Sequence, residues 1–101
     1  MKIRLLSSAF KDIANGRDFY EQQGEGLGGY FLDSLFSDID SLILYAGIYR
    51  QVFGFHRLLS KRFPYAIYYR METENEEVVY RVLDCRQNPD KIHASLKKTH
   101  E

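Results

Sequence analysis

The apolar positions of this chain repeat with a helical period in the first half and with a strand-like one in the second. Ile3, Leu5 and Leu6 make a short apolar opening, and Ser7-Ser8 after it supplies side-chain oxygens of the kind that cap a helix start. The spacing of Ala9, Ile13, Gly16 and Tyr20 predicts a helix over about residues 8 to 22, with Asp12 in its first turn, where the helix dipole favours an acid, and an end by Gly24. From Leu27 to about Ala46, apolar residues at 27, 31, 35, 39, 42 and 46 repeat at helical spacing, thickened by Leu32, Phe36 and Ile43. Asp33, Asp38 and Asp40 mark the wet face of this second helix. Residues 8 to 46 therefore read as a helical hairpin.

The hairpin's turn falls in Gly24-Glu25-Gly26-Leu27-Gly28-Gly29. A dinucleotide fingerprint would need a strand before such glycines, and here a helix precedes them, so they read as a helix–helix turn. After Gly47 the pattern changes to β-branched and aromatic runs: Val52-Phe53, Phe55 to Ser60, Tyr65 to Arg70 and Glu77 to Leu83. Pro64 and the polar stretch from Glu72 to Glu76 separate them, which predicts an antiparallel meander. Asn88-Pro89 closes the last strand, and residues 90 to 98 fit a short terminal helix. The expected fold is a two-layer α+β domain: an N-terminal strand, the α-helical hairpin, then a three-stranded antiparallel meander in one sheet that the first strand joins, and a short C-terminal helix.

At 101 residues, 45% apolar and 15% aromatic, the chain can bury one core without disulfides or a structural metal. Its longest apolar runs are far below the roughly 20 residues that cross a bilayer, so no membrane partner is expected and the cytoplasm is the expected compartment. Cys85 is the only cysteine, in keeping with a reducing compartment. Fourteen basic and fourteen acidic residues balance, which argues against specific DNA binding by the chain itself. The balance is uneven along the chain, with five basic against seven acidic residues up to Arg50 and nine against seven after it. Arg57, Lys61, Arg62, Arg70, Arg81 and Arg86 carry that excess, either as a basic face or as a solvated strand face.

Three segments resemble the RelE/ParE toxin superfamily, in the order expected of it. Phe19-Tyr20-Glu21-Gln22-Gln23, Gly26-Leu27-Gly28 and Phe31-Leu32 look like the hairpin turn of ParE-like members. The run from Arg62 through Phe63-Pro64-Tyr65 to Arg70 resembles the family's phenylalanine-proline-tyrosine strand, and Val82 to Pro89 resembles its closing strand. Ala9 and Asp12-Ile13 extend the similarity into the first helix. The resemblance implies the toxin of a type II toxin–antitoxin pair, of the ParE-like plasmid-stabilisation branch, acting on DNA gyrase and neutralised by a cognate antitoxin laid over the hairpin and the sheet edge. Cys85 and three scattered histidines show no metal-ligand spacing, so no metal is expected, and no cofactor either.

RelE-like members cleave messenger RNA on the ribosome with lysines, arginines and a tyrosine. Here Ala66 stands where those nucleases tend to have a phosphate-binding arginine, and loss of one such donor costs about two to three orders of magnitude in rate. The resemblance therefore favours target binding, through Arg57, Lys61, Arg62 and Arg86 with Gln87 and Asn88 beside them. The alternative is a metal-free endoribonuclease using His56, Arg57, Lys61, Arg62 and Arg86. A third reading is a decayed toxin that only binds its antitoxin. His56 is the acid–base candidate because a free imidazole titrates near neutrality, against the plainer reading of a histidine on a strand face; His93 and His100 fall in the terminal segment. Cys85 beside Arg86 is either a thiol with a lowered pKa or an inert one, and the tyrosines at 65, 68, 69 and 80 are core packing with one or two left for an interface.

Overall fold

The computed structural model describes residues 2–45 and 49–99. Along the chain it forms β1 (Lys2–Leu5), α1 (Ser7–Gln23), α2 (Leu27–Asp40), α3 (Leu42–Tyr45), β2 (Gln51–Val52), β3 (Phe55–Leu59), β4 (Tyr65–Thr73), β5 (Glu76–Asp84) and α4 (Pro89–Lys98). The strands make one sheet in the order β1-β5-β4-β3-β2. Neighbours from β2 to β5 are antiparallel, whereas β1 joins β5 in parallel with Leu5 opposite Val79. Everything from α1 to β4 lies between those two strands in sequence, which supplies the long crossover a parallel pair needs. The expected order of elements holds, except that the antiparallel meander has four strands rather than three, because a turn at Phe53-Gly54 adds the two-residue β2, and that the second helix breaks at Ser41 into α2 and α3. The predicted end of the hairpin at Ala46 and the change of pattern after Gly47 lie outside the described residues.

Local chemistry explains the hairpin. Gly26 takes φ +86, a left-handed conformation open to glycine, at the start of α2. Glu21 reaches back across the turn, where its carboxylate accepts the Gly26 and Gly28 N–H groups at 3.1 and 2.9 Å. Those bonds hold the Glu21 carboxyl below its ordinary range and satisfy N–H groups that a helix start leaves open. Gly16 permits the closest approach of α1 to the core, since a Cβ there would lie 2.5 Å from Cζ of Phe31. Tyr20, Phe31, Phe63 and Tyr65 fill that space, with ring centroids 5.1 to 5.2 Å apart around Phe31.

Strand alternation divides the interior in two. Leu58, Tyr65, Ile67 and Tyr69 face α1 and α2 and pack with Ile13, Leu35 and Ile39. Phe55, Ala66, Tyr68 and Leu83 face the other way, where Ile92 and Leu96 of α4 cover them. The terminal helix thus adds a small second core on the face of the sheet away from the hairpin. A bulge sits on β5, where Tyr68 pairs with Arg81 and Tyr69 with Val79, leaving Tyr80 as the extra residue.

Several local expectations need correcting. No side chain caps the start of α1; the Ser8 hydroxyl instead donates to the Tyr80 carbonyl of β5 at 2.7 Å. Asp12 lies beyond the first turn and faces the sheet. Asp38 is buried, and its carboxylate accepts the Lys61 N–H at 3.4 Å, because the inner face of α2 is wide enough to meet the loop after β3. Phe36 and Ile43 do not thicken the core; both remain exposed on the outer side of the hairpin.

Candidate functional site

His56 and Arg57 are neighbours on β3, and strand alternation sends them to opposite faces of the sheet. His56 lies on the hairpin side, stacked on Tyr69 with centroids 5.2 Å apart. Its Nδ1 is 2.8 Å from the Tyr49 carbonyl, an acceptor, so Nδ1 carries a proton there. Its Nε2 lies 3.4 Å from the Gln51 side-chain amide. Arg57 lies on the α4 side, opposite Tyr68 in the β3–β4 register, where its charge opposes the rise that burial gives the Tyr68 and Cys85 pKa values.

The other basic candidates are spread out. Lys61 and Arg62 stand exposed in the loop between β3 and β4, beyond the end of the strand at Leu59. Arg86 follows β5 and turns back on Asp84, with Nε and Nη2 at 3.0 and 2.7 Å from its carboxylate. That contact raises the Arg86 pKa and lowers the Asp84 one. The charge of Arg86 also reaches Tyr20 and Tyr65. Gln87 lines a cleft of about 250 Å³ between α1 and β5, together with Asp12, Asn15, Phe19 and Tyr65. Asn88 caps α4, its side chain accepting the Asp90 N–H at 2.8 Å.

Two further cations from the basic half of the sequence are committed to structure. Arg81 forms a two-pronged pair with Asp12 at 2.7 and 2.8 Å, and Asp12 also accepts the Val82 N–H at 3.0 Å. This ties α1 to the stretch of β5 that runs past the end of β1. Arg70 lies over the Phe55 ring, 3.9 Å from its centroid, and donates to the Gly54 carbonyl. Burial pushes the Tyr65 hydroxyl up to about 12 and also raises Tyr68 and Tyr69; Cys85 is exposed, yet partial desolvation raises its thiol too, which makes it a poorer nucleophile than a free cysteine. His93 lies on α4, and His100 lies outside the described residues.

One feature of this region escaped the sequence pattern. Val52 and Phe55 pair across a two-residue turn in which Phe53 and Gly54 both have positive φ, +55 and +82. A residue followed by glycine between two apolar runs is the usual mark of such a turn, but its first position ordinarily holds glycine, asparagine or aspartate. The phenylalanine there hid it inside a strand-like run. Among the described residues no group of three or more His, Cys, Asp or Glu side chains is placed to hold a metal ion, and no helix is long and apolar enough to cross a membrane.

Comparison with known proteins fits this arrangement into a family. The family described as the ParE toxin of the type II toxin–antitoxin system, parDE, matches residues 3–89. Among solved structures, a chain described as the chromosomal ParDE TA system from P. aeruginosa superposes with a TM-score of 0.66. The match covers 81% of this chain and 92% of that one at 18% identity, a likeness of fold. No curated protein matches the chain.

Proposed function

Because this chain belongs to the ParE toxin family of type II toxin–antitoxin systems, we propose that it arrests growth in the cytoplasm by gripping DNA gyrase, without bond-breaking chemistry of its own, and that a cognate antitoxin neutralises it. One observation carries this reading over the ribonuclease one: the residues a metal-free nuclease would use do not converge. His56 faces away from Arg57 and is bonded to the Tyr49 carbonyl, while Arg86 is paired with Asp84. Cleavage of RNA needs a base, a phosphate-stabilising cation and an acid around one phosphorus. Ala66, fully buried under α4, leaves no room for a solvated arginine at that position. Arg57, Lys61, Arg62 and Arg86, with Gln87 and Asn88, are proposed as target contacts.

The antitoxin's place is proposed from exposed apolar surface. Phe10 on α1, Phe36 on α2 and Leu44 on α3 are 54%, 38% and 75% exposed. An amphipathic arm that covered them would bury the apolar area on which such recognition runs. Hydrogen exchange of the toxin with its antitoxin should protect α1 and α2; unchanged exchange there would remove this placement.

The function itself is tested by pulse-labelling new DNA and new protein within minutes of inducing the chain without its antitoxin. Gyrase inhibition predicts that DNA synthesis stops first and cells filament. Earlier arrest of protein synthesis would support the ribonuclease, and undisturbed growth a decayed toxin.

A further inference from the structure

Phe53 is an exception to the economy of this fold. At φ +55 a bulky side chain is strained, and glycine or asparagine would occupy the same turn at less cost. Burial does not offset the strain, since the ring remains 45% exposed. It stacks on His93 of α4 with centroids 4.2 Å apart and planes within 8°. Strain of this kind persists at positions selected for what they contact.

The surroundings say what that contact is. Two recesses flank the ring, of about 220 and 200 Å³. The first is lined by Arg70 and Lys97 beside Phe55 and Leu96, the second by Arg57 beside Tyr68 and Ile92, and no carboxylate lines either. In a protein of zero net charge the two recesses thus set Arg57, Arg70 and Lys97 beside the rings of Phe53, Phe55 and Tyr68.

We infer that this face, centred on Phe53, is the docking site for a segment of a protein target that carries an aromatic or large aliphatic side chain next to a carboxylate. The ring offers the apolar shelf, and Arg57 and Lys97 offer the charge partners. A single-stranded nucleic acid fits less well, because it needs a row of cations along its backbone. Here Arg70 already donates to Gly54, and the remaining two stand in separate recesses. The role of this face as the toxic surface rests on the target-binding reading above; its binding of the ligand chemistry does not.

The experiment is an amide NMR titration of the full chain with three probes: N-acetyl-phenylalanyl-glutamate amide, its glutamine analogue and uridine monophosphate. The glutamate peptide should shift the amides of Phe53, Arg57 and His93 saturably and bind about threefold tighter than the glutamine one. Phe53→Gly should weaken it about fivefold, with a melting temperature equal to or above that of the parent, since glycine relieves the turn. Lys97→Gln combined with Arg57→Gln should erase the preference for glutamate. No shift at these residues, equal binding of both peptides, or a response to the nucleotide alone would overturn the inference. In cells, Phe53→Gly should retain antitoxin binding and lose growth inhibition; undiminished toxicity would remove this face from the toxic mechanism. A parent chain that fails to arrest growth would instead remove the target-binding reading and leave the titration to decide the site.

Discussion

Replacing Asp12 by alanine should destabilise the fold more than any other single change at the junction of α1 and the sheet. The Asp12 carboxylate takes two charge-assisted bonds from Arg81 and a third from the Val82 N–H, and the two side chains are only 11% and 21% exposed. Asp12→Ala strands a guanidinium that water reaches poorly and leaves a strand N–H with no acceptor. Breaking a buried pair costs about 3–5 kcal/mol, and the residual exposure of Arg81 places this one near the lower end, at about 3 kcal/mol. For a domain of this length that lowers the melting temperature by about 12–20 °C. Arg81 Nη1 also bonds the Thr99 hydroxyl at 3.2 Å, so amides of α4 should exchange faster in the variant. Urea unfolding followed by circular dichroism measures the loss. Asp12→Ala combined with Arg81→Met removes both charges and should recover part of it. A loss below about 1 kcal/mol, or a double variant no better than the single one, would refute the role given to the pair.

Two buried residues and one surface thiol give three further outcomes. Glu77 is fully buried, its carboxylate oxygens have no hydrogen-bond partner among the described residues, and burial raises its pKa against the opposing pull of His56. A carboxyl raised in the folded state contributes stability below its ordinary pKa and loses that contribution as pH rises through the folded value. Glu77→Leu should therefore be about 1–2 kcal/mol more stable than the parent at pH 7.5, with the gap closing toward acid pH; a pH-independent gap would contradict this. Gly16→Ala drives a Cβ into the Phe31 ring and should cost about 1–3 kcal/mol in the same unfolding assay, whereas an unchanged midpoint would show that the ring yields freely. Cys85 is exposed, yet partial desolvation raises its thiol pKa, so it should react with iodoacetamide at pH 7.5 more slowly than free cysteine, and faster labelling would place the thiol in a more polar setting.

Periodicity carried most of the fold because the elements are regular: the inner stripes of α1 and α2 and the alternation of β3 and β4 each follow one period. What it missed depends on pairings between distant segments. Asp12 and Arg81 are 69 residues apart, so Arg81 looked like part of a basic face when it is half of an internal pair. Asp38 looked solvated because a helix period cannot show that the loop at Lys61 folds over it. The candidate site was legible as residue types and not as a constellation. His56 and Arg57 are adjacent in sequence, and the strand that makes them adjacent also separates their side chains. The turn at Phe53 was hidden because its first residue is one that such turns rarely use.

The proposed inhibition of gyrase by binding can be followed with purified components. The most direct test adds the purified chain to purified gyrase with relaxed plasmid and ATP, with and without the antitoxin. Supercoiling should fall as toxin is titrated in, return with the antitoxin, and fall less with Arg57→Ala and Lys61→Ala. Full supercoiling at every toxin concentration, alongside messenger-RNA cleavage when ribosomes are supplied, would contradict it.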